Sequence, residues 1–297
     1  MRNTATLLVL SVLLLSLPAE EPKLRDTGFK PKIANASNEG QRAIQTFKIP
    51  EGFKVDLIAA EPMLANPVVF CIDEKGRFYI AETFRHHQGV TDIRGHMNWL
   101  DDDLASRTVE DRVKMLRKYL GDKFSTYEHA EDRVRLLEDT DGDGKIDRAT
   151  VFADKFNNAP DGIGAGVLAR RGDVYYTCIP DVWKLRDTNN DGKADIRKSL
   201  HTGYGIHVGY LGHDLHGLKI GPDGKLYFSI GDRGLHVKTP QGVVSAPDTG
   251  SVLRCDLDGS NLEIVATGLR NPQELAFDKY GNLFTADNNS DGGDGAR

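Results

Sequence analysis

The run Gly212-His213-Asp214-Leu215-His216-Gly217 continues through Gly221-Pro222-Asp223-Gly224 and Leu226-Tyr227-Phe228-Ser229-Ile230 to Gly231-Asp232-Arg233-Gly234. It holds the residues best suited to proton chemistry. His213 stands at the start of one strand-like stretch and Asp232 just past the end of the next. Adjacent antiparallel strands bring such ends together. Asp232 can then hold one imidazole nitrogen and leave the other as a general base. A His–Asp pair across a hairpin also serves as a structural brace, and the residues alone leave both readings open.

Two acidic stretches point to a different chemistry. Asp139-Thr-Asp141-Gly-Asp143-Gly-Lys145-Ile-Asp147 places carboxylates at alternate positions, and Asp187-Thr-Asn189-Asn-Asp191-Gly-Lys193-Ala-Asp195 repeats the pattern with one amide. Ca²⁺ takes several hard oxygens at short range, and the backbone carbonyls of Lys145 and Lys193 can add to the set. An EF-hand would need Glu at the twelfth position. Thr150 and Lys198 stand there, so these are expected as calcium loops at β-hairpin tips with a structural role. The alternative is a pair of metal-free Asp/Asn/Gly turns.

These residues must be positioned by repeated strands. A polar turn followed by strand formers recurs at Asp73-Glu-Lys-Gly-Arg-Phe-Tyr, Arg171-Gly-Asp-Val-Tyr-Tyr, Pro222-Asp-Gly-Lys-Leu-Tyr-Phe and Asp278-Lys-Tyr-Gly-Asn-Leu-Phe. The last three turn glycines lie 52 and 57 residues apart. The two acidic motifs are themselves 48 apart. A period near 50 built from four short strands predicts an all-β fold, a β-propeller. The expected blades are 48–154, 155–203, 204–268 and a partial one at 269–297, after an irregular lead-in over 20–47. The first interval is longer because residues 86–131 break the pattern. Within them Arg107–Tyr119 has Val109, Val113, Leu116 and Tyr119 at helical spacing, which predicts a helical insertion that covers one face or simply packs. The chain ends in a polar turn without a closing strand, so further blades are expected beyond Arg297.

Of the 297 residues, 39% are hydrophobic and 28% charged, with net charge −6. No basic cluster interleaved with aromatics marks a nucleic-acid surface. Arg2 followed by the apolar run Ala5–Leu17 reads as a signal peptide over 1–19, too short to span a bilayer. Leu17 is not a small residue at −3, so an uncleaved N-terminal anchor is the alternative. Either way the folded part is expected outside the cytoplasm, secreted or periplasmic. Cys71, Cys178 and Cys255 sit in strand-like runs and fit no zinc spacing; they are expected as buried small residues, with room for one disulfide. No Cys-x-x-Cys-His occurs, so no c-type haem is attached to this chain.

The register from His213 through Gly221-Pro222-Asp223-Gly224 to Gly231-Asp232-Arg233-Gly234 resembles the soluble quinoprotein glucose and sorbosone dehydrogenase family. Gly268-Leu-Arg270-Asn271-Pro272-Gln273 is similar to the family's Arg-Asn-Pro-Gln stretch. Pro50-Glu-Gly-Phe-Lys-Val, Ala81-Glu-Thr-Phe-Arg and Trp99-Leu-Asp-Asp-Asp-Leu-Ala-Ser-Arg-Thr extend the resemblance to membrane-bound dehydrogenase-type propellers of planctomycete-type bacteria. The resemblance covers nearly everything from residue 48 onward. It implies a six-bladed propeller, about three and a half blades of it present here. It also implies pyrroloquinoline quinone (PQQ) on the axis, His213 as base oriented by Asp232, and Arg270 and Asn271 facing quinone and substrate, with Gln273 and Asn288 alongside. Electrons would pass to a haem c domain or cytochrome belonging to a missing C-terminal part. Two departures stand out. Asp287-Asn288-Asn289-Ser290-Asp291-Gly-Gly-Asp294 replaces a Gly-Pro pair that helps hold the cofactor's calcium, and His216 replaces a frequent Gly.

Three functions remain open. The chain is a fragment of a sugar or alcohol dehydrogenase; or it is a non-catalytic, calcium-stabilised propeller binding carbohydrate or protein; or it is a lactonase-type hydrolase with an axial metal. His207, His216 and His236 leave a histidine-bound metal open. The His213–Asp232 register favours the first, and fold alone does not decide.

Overall fold

The recurring turns close four β-hairpins. Gly76, Gly172, Gly224 and Gly281 sit at positive φ (77°, 83°, 77° and 86°), a conformation glycine reaches without steric cost. In three of these turns an aspartate orders the bend. Asp73 accepts from the amides of Lys75 and Arg77, Asp223 from that of Lys225, and Asp278 from those of Tyr280 and Asn282.

The structure, a computed structural model, describes residues 24–288. The expected leader at 1–19 and everything after Asn288 lie outside the described residues. The first sheet is β1 (Pro67–Ile72), β2 (Phe78–Glu82), β3 (Asp132–Glu138) and β4 (Arg148–Phe156). The second is β5 (Gly164–Arg170), β6 (Asp173–Cys178), β7 (Asp181–Arg186) and β8 (Ile196–Thr202). In the third, β9 (Leu215–Ile220) and β10 (Leu226–Ile230) are followed by a separate hairpin, β11 (Leu235–Thr239) and β12 (Gly242–Ala246). The sheet is then completed by β13 (Gly250–Cys255) and β14 (Glu263–Leu269), and β15 (Pro272–Phe277) pairs with β16 (Leu283–Asp287).

Every pairing is antiparallel between successive strands of a sheet. The first strands pack on one another in turn, β1 on β5, β5 on β9 and β9 on β15. Meander sheets whose first strands share an axis are the blades of a β-propeller.

The blades are joined at one rim by a repeated device. Gly164 N donates to the Asp132 carboxylate at 2.9 Å, Thr177 Oγ to Leu215 O at 2.8 Å and Ser229 Oγ to Pro272 O at 2.6 Å. Between first and second sheets lie Phe156, Tyr176 and Trp183; between second and third lie Tyr204, Phe228 and Leu253. Burying side chains of this size stabilises the fold by about 1.5–3 kcal/mol each. The end sheets carry exposed apolar residues, Val68, Phe70 and Ile72 on β1 and Phe284 on β16.

Between β2 and β3 runs the helical insertion, with α2 (Leu100–Ala105) and α3 (Val109–Leu120). The Thr108 hydroxyl accepts from Asp111 N and caps α3. The fully buried residues of α3 are Arg112, Met115 and Leu116, Val113 and Tyr119 pack half-buried against the same apolar cluster as Leu116, and Val109 is half-buried. Three details differ from the sequence expectation. The lead-in holds a short exposed helix, α1 (Glu39–Ile44). No strand is formed before Pro67 among the described residues. The β11–β12 hairpin was not foreseen, since its residues read as part of the repeat. The three cysteines are unpaired thiols in β1, β6 and β13. Among the described residues no helix is long and apolar enough to cross a membrane.

Candidate functional site

Leu215 on β9 faces Ile230 on β10. Continuing that register past the strand ends sets His213 opposite Asp232. His213 Nδ1 lies 2.7 Å from Asp232 Oδ1. The ring is buried, with 5% of the side chain exposed against 31% for Asp232. A carboxylate only accepts, so Nδ1 carries a proton, and in the neutral ring the lone pair is then on Nε2. The close approach needs Gly231: a Cβ there would stand 2.8 Å from His213 Cβ and 3.0 Å from Asn271 Oδ1.

A second pair crosses behind the first. Asp214 and Arg233, each next in sequence to a member of the dyad, form a buried ion pair at 2.6 Å. Arg233 Nε also donates to His207 O at 3.1 Å. Gly162 of the second blade makes room, since a Cβ there would meet Asp214 Oδ1 at 2.6 Å. Arg112 of α3 is 3% exposed and donates to Pro160 O at 2.9 Å. Burial first, then the charge of nearby Arg233, hold its pKa well below the usual guanidinium value.

The residues named from the Arg-Asn-Pro-Gln stretch come to the same rim. Asp232 N donates to Arg270 O at 2.7 Å. The Asp287 carboxylate accepts from Arg270 N at 3.0 Å and Asn271 N at 2.7 Å. The Arg270 guanidinium reaches Asn288 O at 3.0 Å. Asn271 and Gln273 both direct an amide NH₂ to Gly212 O at 3.4 Å. Gln273 and Asn288 are exposed, whereas Asn271 is 1% exposed and its Oδ1 is buried without a partner.

Two further groups at this rim were not legible in the sequence. The Tyr210 ring lies 5.4 Å from the His213 ring, with the guanidinium carbons of Arg94 and Arg270 at 5.0 and 5.6 Å from its centroid. Arg94 belongs to the insertion, and no spacing signal links it to His213. Asp214 and Arg233 could have been suspected, because each flanks a dyad member.

The histidine-metal alternative finds no support. His207 Nδ1 meets Asp103 O at 2.7 Å, His216 Nε2 meets Gly212 O at 2.8 Å and His236 Nδ1 meets Ser245 Oγ at 3.4 Å. Each ring turns to a different partner, and among the described residues these histidines form no group able to share an ion.

The acidic motifs occupy the β3–β4 and β7–β8 connections, at the strand ends opposite His213. In the first, Asp139, Asp141 and Asp147 offer oxygens within 4.8 Å of one another. Two oxygens each about 2.4 Å from one Ca²⁺ stand no more than about 4.8 Å apart, a limit that these three meet. The loop also uses its carboxylates internally. Asp139 accepts from Gly142 N and Gly144 N, Asp143 from Lys145 N, and Asp147 from Thr140. The Gly144 amide chiefly holds the Asp139 pKa below the ordinary carboxylate value. The second loop repeats this in register. Asp187 accepts from Asn190 N and Gly192 N, Asn189 from Asp191 N, Asp191 from Lys193 N, and Asp195 from Thr188.

Residues 39–294 match the model of a family described as a domain of unknown function, DUF7133. The chain belongs to that family. No curated protein matches it. Among solved structures it is similar to the holo form of the pyranose dehydrogenase PQQ domain from Coprinopsis cinerea, at 12% identity and a TM-score of 0.45, covering 81% of this chain and 47% of that one. It is also similar to a chain of a nidogen/laminin complex, at 15% identity and a TM-score of 0.22, covering 52% of this chain and 66% of that one. The chain thus spans about half the length of the first of these. At these scores neither likeness bears on activity.

Proposed function

We propose that this chain carries the proton-transfer end of a sugar or alcohol dehydrogenase. The observation behind the reading is the 2.7 Å contact of His213 Nδ1 with Asp232 at the ends of two paired strands. In this reading His213 Nε2 takes the proton of a substrate hydroxyl. Asp232 fixes the tautomer and stabilises the imidazolium that forms. Asp214–Arg233 keeps the two strand ends in place behind the dyad.

PQQ is the cofactor we propose. A flat polycarboxylic quinone calls for cations and an aromatic surface, and Arg270, Arg94 and Tyr210 supply these beside His213. Gln273 and Asn288 offer exposed amides nearby, while buried Asn271 braces Gly212 from behind. When bound, PQQ supplies the two-electron acceptor that protein side chains lack. Onward transfer to a haem c domain or cytochrome, a secreted or periplasmic location, and membrane association only through an uncleaved N-terminal segment belong to the same proposal. So does structural Ca²⁺ in the two acidic loops.

The test is dye reduction by the full chain supplied with PQQ and Ca²⁺ across a panel of sugars and alcohols. Turnover is expected, with His213→Ala lowering kcat by about 10²-fold or more, as for loss of a general base. Absence of both PQQ binding and turnover in the unsubstituted protein overturns the reading. One observation favours the alternative, a non-catalytic propeller binding carbohydrate or protein: His213 is only 4% exposed and its neighbour Asp214 fully buried, as in a purely structural knot. Under that alternative His213→Ala lowers stability and leaves ligand binding intact.

A further inference from the structure

The loop that delivers His213 to β9 runs from Gly203 to Asp214 and belongs to no sheet. Its glycines Gly205, Gly209 and Gly212 adopt positive φ (71°, 57° and 85°). Such a segment keeps one conformation only if its backbone groups are tied from outside. Its first half is tied to the second and third blades, with Gly203 N donating to Pro180 O, Gly205 N to Gly234 O and His207 N to Arg233 O, and Gly212 O accepts from Asn271 and Gln273. The stretch between, residues 207–211, is tied by the helical insertion. The Asp103 carboxylate on α2 accepts from Val208 N at 2.7 Å and Gly209 N at 3.4 Å, while Asp103 O faces His207 Nδ1 at 2.7 Å. Ile93 N donates to Gly209 O at 3.0 Å. The Asp92 carboxylate accepts from Leu211 N at 3.2 Å. Tyr210 O then accepts from His213 N at 3.3 Å. Asp103 and Asp92 are 3% and 8% exposed.

We propose that the insertion over residues 86–131 is a clamp for the base, with Asp103 and Asp92 as positioning residues that act on His213 through residues 207–211. The insertion is thereby more than packing: it sets the direction in which the imidazole meets Asp232. A reacting group must be held within about 0.5 Å of its productive place, and the strand-like pairing of this loop with residues 233–236 ends at His207, before it reaches His213. The proposal rests on the reading of His213 as a base.

Its test reads the imidazole directly in the full chain. The His213 Nδ1–H resonance is assigned by its loss in His213→Gln, and its exchange with solvent is then measured without substrate. Asp103→Ala is expected to speed exchange by about tenfold or more, because the contact to Asp232 opens more often. Asp103→Asn, which keeps one acceptor oxygen, restores part of the protection. Asp92→Ala moves exchange in the same direction by less and serves as the primary variant if Asp103→Ala does not fold. Asp122→Ala, on an exposed part of the insertion, leaves it unchanged. A merely structural insertion would lower the melting temperature and leave this proton as it is. A folded Asp103→Ala or Asp92→Ala protein with unchanged exchange overturns the clamp. If exchange responds and the protein shows neither PQQ binding nor turnover of any sugar or alcohol, the insertion still positions the His213 imidazole, and the dehydrogenase reading falls. If dye reduction needs His213 and exchange does not respond, the clamp alone falls.

Discussion

Asp181 opens β7 with 8% of its surface exposed, and the hydroxyl of Ser199 donates to it at 2.6 Å. Burial pushes its pKa up to about 7, with the charge of Asp161 adding to the rise. A carboxyl whose folded pKa exceeds its unfolded value favours the fold while protonated. That contribution is full below about pH 4 and is lost as pH rises through 7. Asp181→Asn, which is neutral at every pH, should therefore gain on the unsubstituted protein between pH 5 and pH 8, by on the order of 2–4 kcal/mol. Urea melts of both proteins at the two pH values measure it, and a difference that does not change with pH would count against a buried, protonated Asp181. The same scale shows how unevenly residues can be read. His213 and Asp232 were found from spacing, because a β-register is arithmetic once the turn is known. Asp181 gave no signal, since its burial is made by the neighbouring strand and loop.

At the scale of elements, the two acidic hairpin tips are near-copies in sequence and in hydrogen bonding. They also show where reading stops. The alternating carboxylates were plain in the sequence, but their convergence within 4.8 Å at Asp139, Asp141 and Asp147 depends on how the tip folds over Gly142 and Gly144. If Ca²⁺ binds the native loops, saturation at a hundred times its dissociation constant should stabilise the protein by about 2.7 kcal/mol per site. Melting temperature is expected to rise with Ca²⁺, to fall with EDTA, and to respond less in an Asp141→Asn, Asp147→Asn double variant. An identical melt in Ca²⁺ and EDTA would remove the metal. The helix of the insertion is equally visible as an element, and its apolar stripe packs where the spacing puts it, with Leu116 buried and Val113 and Tyr119 beside it. What apolar periodicity does not show is Arg112, which α3 lays against the charged groups behind the dyad.

For the whole molecule, the apolar layers between blades are joined by a few buried polar groups that cross from one blade to the next. Arg85 is completely buried. Its guanidinium donates to the carbonyls of Tyr127, Ala130, Gly89, Asn158 and Asp161 at 2.8–3.1 Å, joining the insertion to the connection between the first two blades. Arg85→Met would keep much of the volume and strand those carbonyls, at a cost of roughly 3–5 kcal/mol. Denaturant unfolding reads this as a lower midpoint with an unchanged slope, and a loss below about 1 kcal/mol would mean that water takes over the carbonyls. Thr177 and Ser229 do similar work at equivalent places in successive repeats. The sequence holds both hydroxyls in plain view, but their role emerges only when the next blade brings a carbonyl to them.

Local periodicity by itself determined most of the strands and their turns, though not the β11–β12 hairpin, together with the propeller architecture, the inserted helix, the His213–Asp232 register and the acidic loop tips. Each of these depends on residues close in the chain or paired by a short turn. The tertiary structure alone decided what surrounds them. It placed Arg94 and Tyr210 beside His213, turned Asn271 inward, set Asp214–Arg233 behind the dyad and bound the His213 loop to Asp92 and Asp103. Those contacts join residues separated by long, irregular connections, where neither a period nor a register carries information about which groups will meet.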